Sequence, residues 1–184
     1  MCSSDLADLL QSRFYSRRGK TQSIIVFLAD RILILEEWAD IPLSAFEEKL
    51  RLAIPIVLAA REVKMIVVHS ATVRSTFALT HYGDAREFLL DNACGLEGRI
   101  SPHFQRPIAT GGLRFVFPET NEHPGSLHLN IESFRHSNNE VFVELKGIFG
   151  RQQVLLPDMD PIIANLHQTR AFICDRVYPF LQQF

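Results

Sequence analysis

Two runs in the second half of the chain constrain its fold more than anything else. From Ser126 to Phe134 and from Val141 to Phe149 apolar and polar residues alternate, and Ser137-Asn138-Asn139 lies between them. A period of two marks a strand with one dry face and one wet face. Ser and Asn are turn formers, so the two runs read as a β-hairpin. The chain must therefore contain antiparallel sheet, and something must cover the dry face. The last stretch supplies a candidate. Asp160 precedes Pro161, which suits a first helical turn. Ile162, Leu166, Ile173, Val177, Phe180 and Phe184 then share one helical face. Large apolar residues near a chain end imply docking, and the chain's own sheet is the expected partner ahead of a second copy.

The remaining pattern fills in around these elements. Leu6, Leu9, Leu10 and Phe14 recur at helical spacing and predict a short helix over 4–15, closed by a basic segment and Gly19. Extended runs cover 23–29 and 31–36, joined at Asp30-Arg31 as a hairpin or continuous as one longer strand. Ser44 and Glu47 form a capping box ahead of a helix over 44–60, with a kink or early end at Pro55. The β-branched run 63–79 is too long for one ordinary strand and should break near 69–72. Asp84, Glu87 and Gly95 bracket a helix over 84–94. Residues 96–112 form the longest irregular stretch, and 113–117 reads as a strand. The order implies an α+β fold. We expect a mainly antiparallel sheet of about five or six strands, with the 44–60 and 161–184 helices on one face.

At 184 residues the prior is one domain spanning 1–184, with the helix and basic segment of 1–20 peripheral. Nineteen Lys and Arg against 21 Asp and Glu leave a net charge of −2, which argues against a nucleic-acid partner. The acidic start MCSSDLADLL is unlike a secretory leader. The longest apolar run, Ala53 to Ala60, is far short of the roughly 20 residues of a membrane span. Cys2, Cys94 and Cys174 share no CxxC spacing, which suggests free thiols in a reducing, cytoplasmic setting, with Cys174 in the core. Fourteen Phe against three Tyr and one Trp favour a Phe-rich core or an apolar seam between copies over a stacking platform.

Four constellations are chemical candidates. His128, Asn130 and Glu132 share one face of their strand, and Glu144 and Lys146 match them on the partner strand. Glu132 or Glu144 could orient His128 as a general base with Lys146 nearby; such residues also suit an ordinary wet face. Arg13, Arg17, Arg18 and Lys20 could contact phosphate or an acidic partner, or simply end a helix where cations are favoured. His103, His123, His128 and His136 crowd together with Glu119 and Glu122, but no recognised metal spacing joins them, so no metal and no cofactor is expected. Gly111-Gly112 precedes a strand, so it makes no phosphate cradle. The expected function is a non-enzymatic binding or scaffold domain that self-associates through apolar helix faces. The alternatives are an enzyme centred on His128, Glu132 and Glu144, and a carrier holding a small apolar ligand between the last helix and the sheet.

Overall fold

A computed structural model describes residues 12–28, 30–38, 41–96, 99–150 and 153–183. The fold is α+β with antiparallel pairing throughout. Among the described residues nine strands form sheets of three, two and four. The chain divides into two compact units, one ending at Val63 and the other beginning at Lys64.

The first unit is a meander of β1 (Ser12–Arg18), β2 (Thr21–Phe27) and β3 (Ile32–Glu37), followed by α1 (Leu43–Ala60). Arg18 pairs with Thr21, so Gly19-Lys20 is a two-residue turn. Gly19 takes φ +64°. Positive φ at the first turn position alone fits a type II′ hairpin, whose twist matches that of its strands. Residues 12–15 are therefore strand and not the end of a helix. Local helical spacing yields to ladder pairing with β2, and Phe14 packs edge-on against Phe27 at 5.7 Å. Leu6, Leu9 and Leu10 lie outside the described residues. The second connection is also a hairpin: Phe27 pairs with Ile32, and the Leu28 N–H donates to Arg31 O.

Helix α1 begins at Leu43 with Pro42 as its N-cap, and no side chain caps it. The Ser44–Glu47 capping box does not form, because Ser44 already lies inside the helix. Pro55 neither ends the helix nor stops Leu58 from being buried. The helix is tied to the meander by Lys49, whose ammonium binds Glu36 and Ser23, and by Arg61, which donates to Leu28 O at 2.7 Å.

The second unit holds β4 (Met65–Ile66), β5 (His69–Ala78), β6 (Gly112–Phe117), β7 (Ser126–Ser133), β8 (Glu140–Phe149) and β9 (Val154–Leu155). The β-branched run 63–79 breaks at Val67-Val68, slightly earlier than its composition suggests. Strands β4 and β9 pair with each other, and the main sheet has the order β5-β8-β7-β6. The predicted hairpin is β7–β8. Leu127, Leu129 and Ile131 are buried with Val141, Val143 and Leu145.

Two helical elements cover that dry face. Helix α2 runs as Ala85–Glu87 and continues in wide π-helical turns over Phe88–Ala93. After the short α3 (Ile100–Phe104), α4 runs Asp160–Phe172, widens to π-helix over Ile173–Val177, and ends in Tyr178–Leu181. Phe88, Leu89, Ile173, Val177 and Leu181 join the six strand residues in one core. The second cover of this sheet is thus α2, while the 43–60 helix belongs to the first unit.

Within the regular turns of α4 Ile163 is buried in place of the expected Ile162, together with Leu166 and Ile173. Further along, the wide turns shift the inward face, so that Leu181 is buried where even spacing predicted Phe180. A bond pattern of i→i+5 admits an extra residue per turn, so the stripe slips by one position. Cys174, next to the inward Ile173, is exposed and not in the core. Among the described residues no helix is long and apolar enough to cross a membrane.

Candidate functional site

The wet face of the main sheet carries the residues singled out for acid–base chemistry, and its register fixes who meets whom. His128 stands opposite Lys146, Asn130 opposite Glu144, and Glu132 opposite Phe142. On the outer strands Arg74 stands opposite Glu144, and Arg114 opposite Asn130. Directly opposed residues are cross-strand neighbours that interact. Glu144 uses this proximity on Arg74, whose Nε donates to Oε2 at 2.6 Å. Glu132 lies four residues along the strand from His128, about 13 Å at about 3.3 Å per residue. His128 has a cation as its facing partner, and among the described residues no hydrogen bond joins it to either carboxylate. The face brings His128 to Lys146 and Glu144 to Arg74, and it separates Glu132 from both.

The basic cluster sits on β1 and its turn, where a strand divides it. Arg13 and Arg17 share a face with Tyr15, Arg18 lies on the other face, and Lys20 is in the turn. All four are exposed. Arg13 lies 6.0 Å from the Tyr15 ring centre, and Arg17 Nε donates to Gly19 O at 3.0 Å. Among the described residues no three His, Cys, Asp or Glu side chains gather as a metal site. The ring of His103 packs on Phe104 and that of His136 on Phe134.

Two features were not singled out from the sequence. The first is a depression of about 480 Å³ between the start of α2, residues 109–110 and the β7–β8 connection. Asp84 caps α2 by accepting from the Arg86 N–H at 2.8 Å. The Arg86 guanidinium binds the same carboxylate and reaches Ile108 O at 3.0 Å, and this pairing holds the Asp84 carboxyl below its ordinary range. The Asp84 signal was legible as a cap, but the closing Arg two residues on was not.

The second is the outer edge of β6. This strand pairs only with β7, so its other side is a sheet edge. Phe115 is 37% exposed, Val116 53% and Phe117 38%, a run of apolar side chains left partly in water. Phe115 meets Phe180 at 6.2 Å and Phe117 meets Phe172 at 5.2 Å, so an aromatic rim joins β6 to α4. Native edges are usually blunted by charge, Pro or a cover. Here Arg114 is the one charge within the strand, and Pro118 follows its end. The sequence signal was LRFVF, with Leu113, Phe115 and Phe117 on one face and Val116 beside Arg114 on the other, but edge status depends on strand order.

Beneath α4 lies a half-buried titratable group. His69 stacks on Phe149 at 5.4 Å, and its Nε2 lies 2.8 Å from Asn165 Nδ2. The amide donates to Nε2, so the ring proton sits on Nδ1, which is buried without a partner. Burial pushes this imidazole below its ordinary value, which is about 6.5. As pH falls through that value the unfolded chain takes up a proton that the folded chain resists. The unfolded state then binds more protons, so stability drops until the folded ring also titrates. Urea midpoints should therefore fall between about pH 7.5 and about pH 5.5 more steeply in the wild type than in His69→Gln. Parallel curves would refute this.

No protein-family model matches the chain, and no curated protein or solved structure matches it.

Proposed function

We propose that this protein is a non-enzymatic binding module that presents the β6 edge to an extended protein segment. The observation that carries the reading is the apolar, partly exposed strand with an open side, backed by Phe172 and Phe180. Strand addition at such an edge draws affinity from main-chain hydrogen bonds and specificity from alternate side chains. The arrangement on the wet face supports the same reading, since Glu144 is engaged by Arg74 and Glu132 stands far from His128. The space between α4 and the sheet is occupied by Ile173, Val177 and Leu181 packed on Val143 and Leu145, which gives a carrier little room.

The test is a titration with a synthetic peptide of alternating valine and threonine, followed by amide resonances. Arg114 and Val116 are expected to move most, with the same response in His128→Ala. Silence at those two amides, or a response centred on His128 and Lys146, would overturn the reading.

A further inference from the structure

The ladder between β6 and β7 dictates which way each amide of β6 points. The Ser133 N–H donates to Gly111 O at 2.9 Å. Backbone groups alternate sides along an antiparallel strand. Leu113, Phe115 and Phe117 therefore bond towards β7, while Arg114 and Val116 turn N–H and C=O outwards. Among the described residues no backbone bond reaches those two from outside the sheet.

We infer that the occupant of this edge is a second copy of the same edge, paired antiparallel about a two-fold axis at Phe115. The inference rests on the binding reading above. Only registers that oppose two outward residues can form the hydrogen bonds, and this leaves few choices. An axis at Arg114 sets two guanidiniums directly opposite, which is destabilising. An axis at Val116 opposes Arg114 to Pro118, which has no N–H to donate. An axis at Leu113 sets Phe115 against Gly111 and leaves Phe117 beyond the paired region.

An axis at Phe115 avoids all three faults. Arg114 then pairs with Val116 of the second copy, and Val116 with its Arg114, giving four backbone hydrogen bonds. No charge faces a like charge across the seam. Phe115 meets Phe115 of the second copy at the close, non-hydrogen-bonded position, where aromatic pairs contribute most. Leu113 meets Phe117, so the dry face continues across the seam with Phe172 and Phe180 behind it. The two four-stranded sheets become one of eight, and each copy's open edge is covered, as expected for an isologous dimer.

Light scattering tests this directly. The mass should rise with concentration from 21.0 kDa towards twice that value. Val116→Pro should abolish the doubling and melt at the temperature of the dilute, monomeric wild type, since the Val116 N–H has no partner within one copy. Phe115→Cys, in a background where Cys2, Cys94 and Cys174 are serine, should oxidise to a linked dimer, because non-hydrogen-bonded pairs bring Cβ atoms near disulfide distance. A cysteine at Thr72 on β5 should not. A monomer at every concentration that still binds the valine–threonine peptide overturns the second copy and leaves the binding reading standing. A monomer that ignores the peptide overturns both. Doubling that survives Val116→Pro and gives no Phe115→Cys link places the interface elsewhere and overturns the proposal.

Discussion

Phe88→Ala is expected to destabilise the second unit by about 3–5 kcal/mol, the usual cost of truncating a buried aromatic to alanine. Phe88 is fully buried and belongs to the core that joins α2 to the main sheet. Its ring lies 4.9 Å from Tyr82, so the substitution removes a ring pair as well as apolar contact area. The surrounding groups cannot easily close the gap. Ile131, Val141 and Val143 are held by the ladder, and Ala85 and Leu89 are held by the same helix. Urea unfolding followed by far-UV circular dichroism gives the number. A loss below about 1 kcal/mol would mean that α2 is not part of the cooperative core.

Gly125→Ala should have the next largest effect, for a different reason. Gly125 is buried just before β7 and takes φ +87°, a conformation L residues rarely adopt. Forcing alanine into it costs about 1–3 kcal/mol. A Cβ there would also run into the Phe149 ring and come within 3.0 Å of Ile148 O. Overpacking of this kind typically adds about 1–3 kcal/mol. The expected total is roughly 2–6 kcal/mol, measured as a lower urea midpoint. A change within about 0.5 kcal/mol would show that the turn rearranges freely. Gly83→Ala is the comparison, because a Cβ there meets nothing.

Much of the second unit was legible because its sequence signals are redundant. In β7 and β8 local propensity, strict alternation and turn residues all agree, so the dry and wet faces follow residue by residue. Helix α4 was legible for the same reason from Leu166 to Ile173, where hydrogen-bond geometry changes without any matching change in residue type. The first unit was harder. Leu6, Leu9, Leu10 and Phe14 satisfy a helical period, yet Phe14 belongs to a strand, because the Gly19-Lys20 turn and the partner β2 override a four-residue coincidence. Ser44 and Glu47 have capping-box spacing, but spacing does not fix where the first turn starts, and Pro42 starts it earlier.

The candidate site divides along the same line. Face membership of His128, Asn130, Glu132, Glu144 and Lys146 depends on parity alone, and parity is written in the chain. Pairing depends on register, which placed Lys146 rather than a carboxylate opposite His128. The β6 edge depends on strand order, a property of several segments at once. No single stretch such as LRFVF can announce that it lies at a boundary.

The widened turns at Ile173–Val177 link helix length to the opposite border of the sheet. One surplus amino acid in that span has the effect of an insertion absorbed by the coil instead of by a loop. It sends Leu181 down into the interior and leaves Phe180 to lean sideways over Phe115. Rewinding that span to ordinary pitch with all its residues kept would exchange those two side chains. The greasy border along β6 is thus set by the winding of a coil about sixty positions downstream, as much as by the border's own composition.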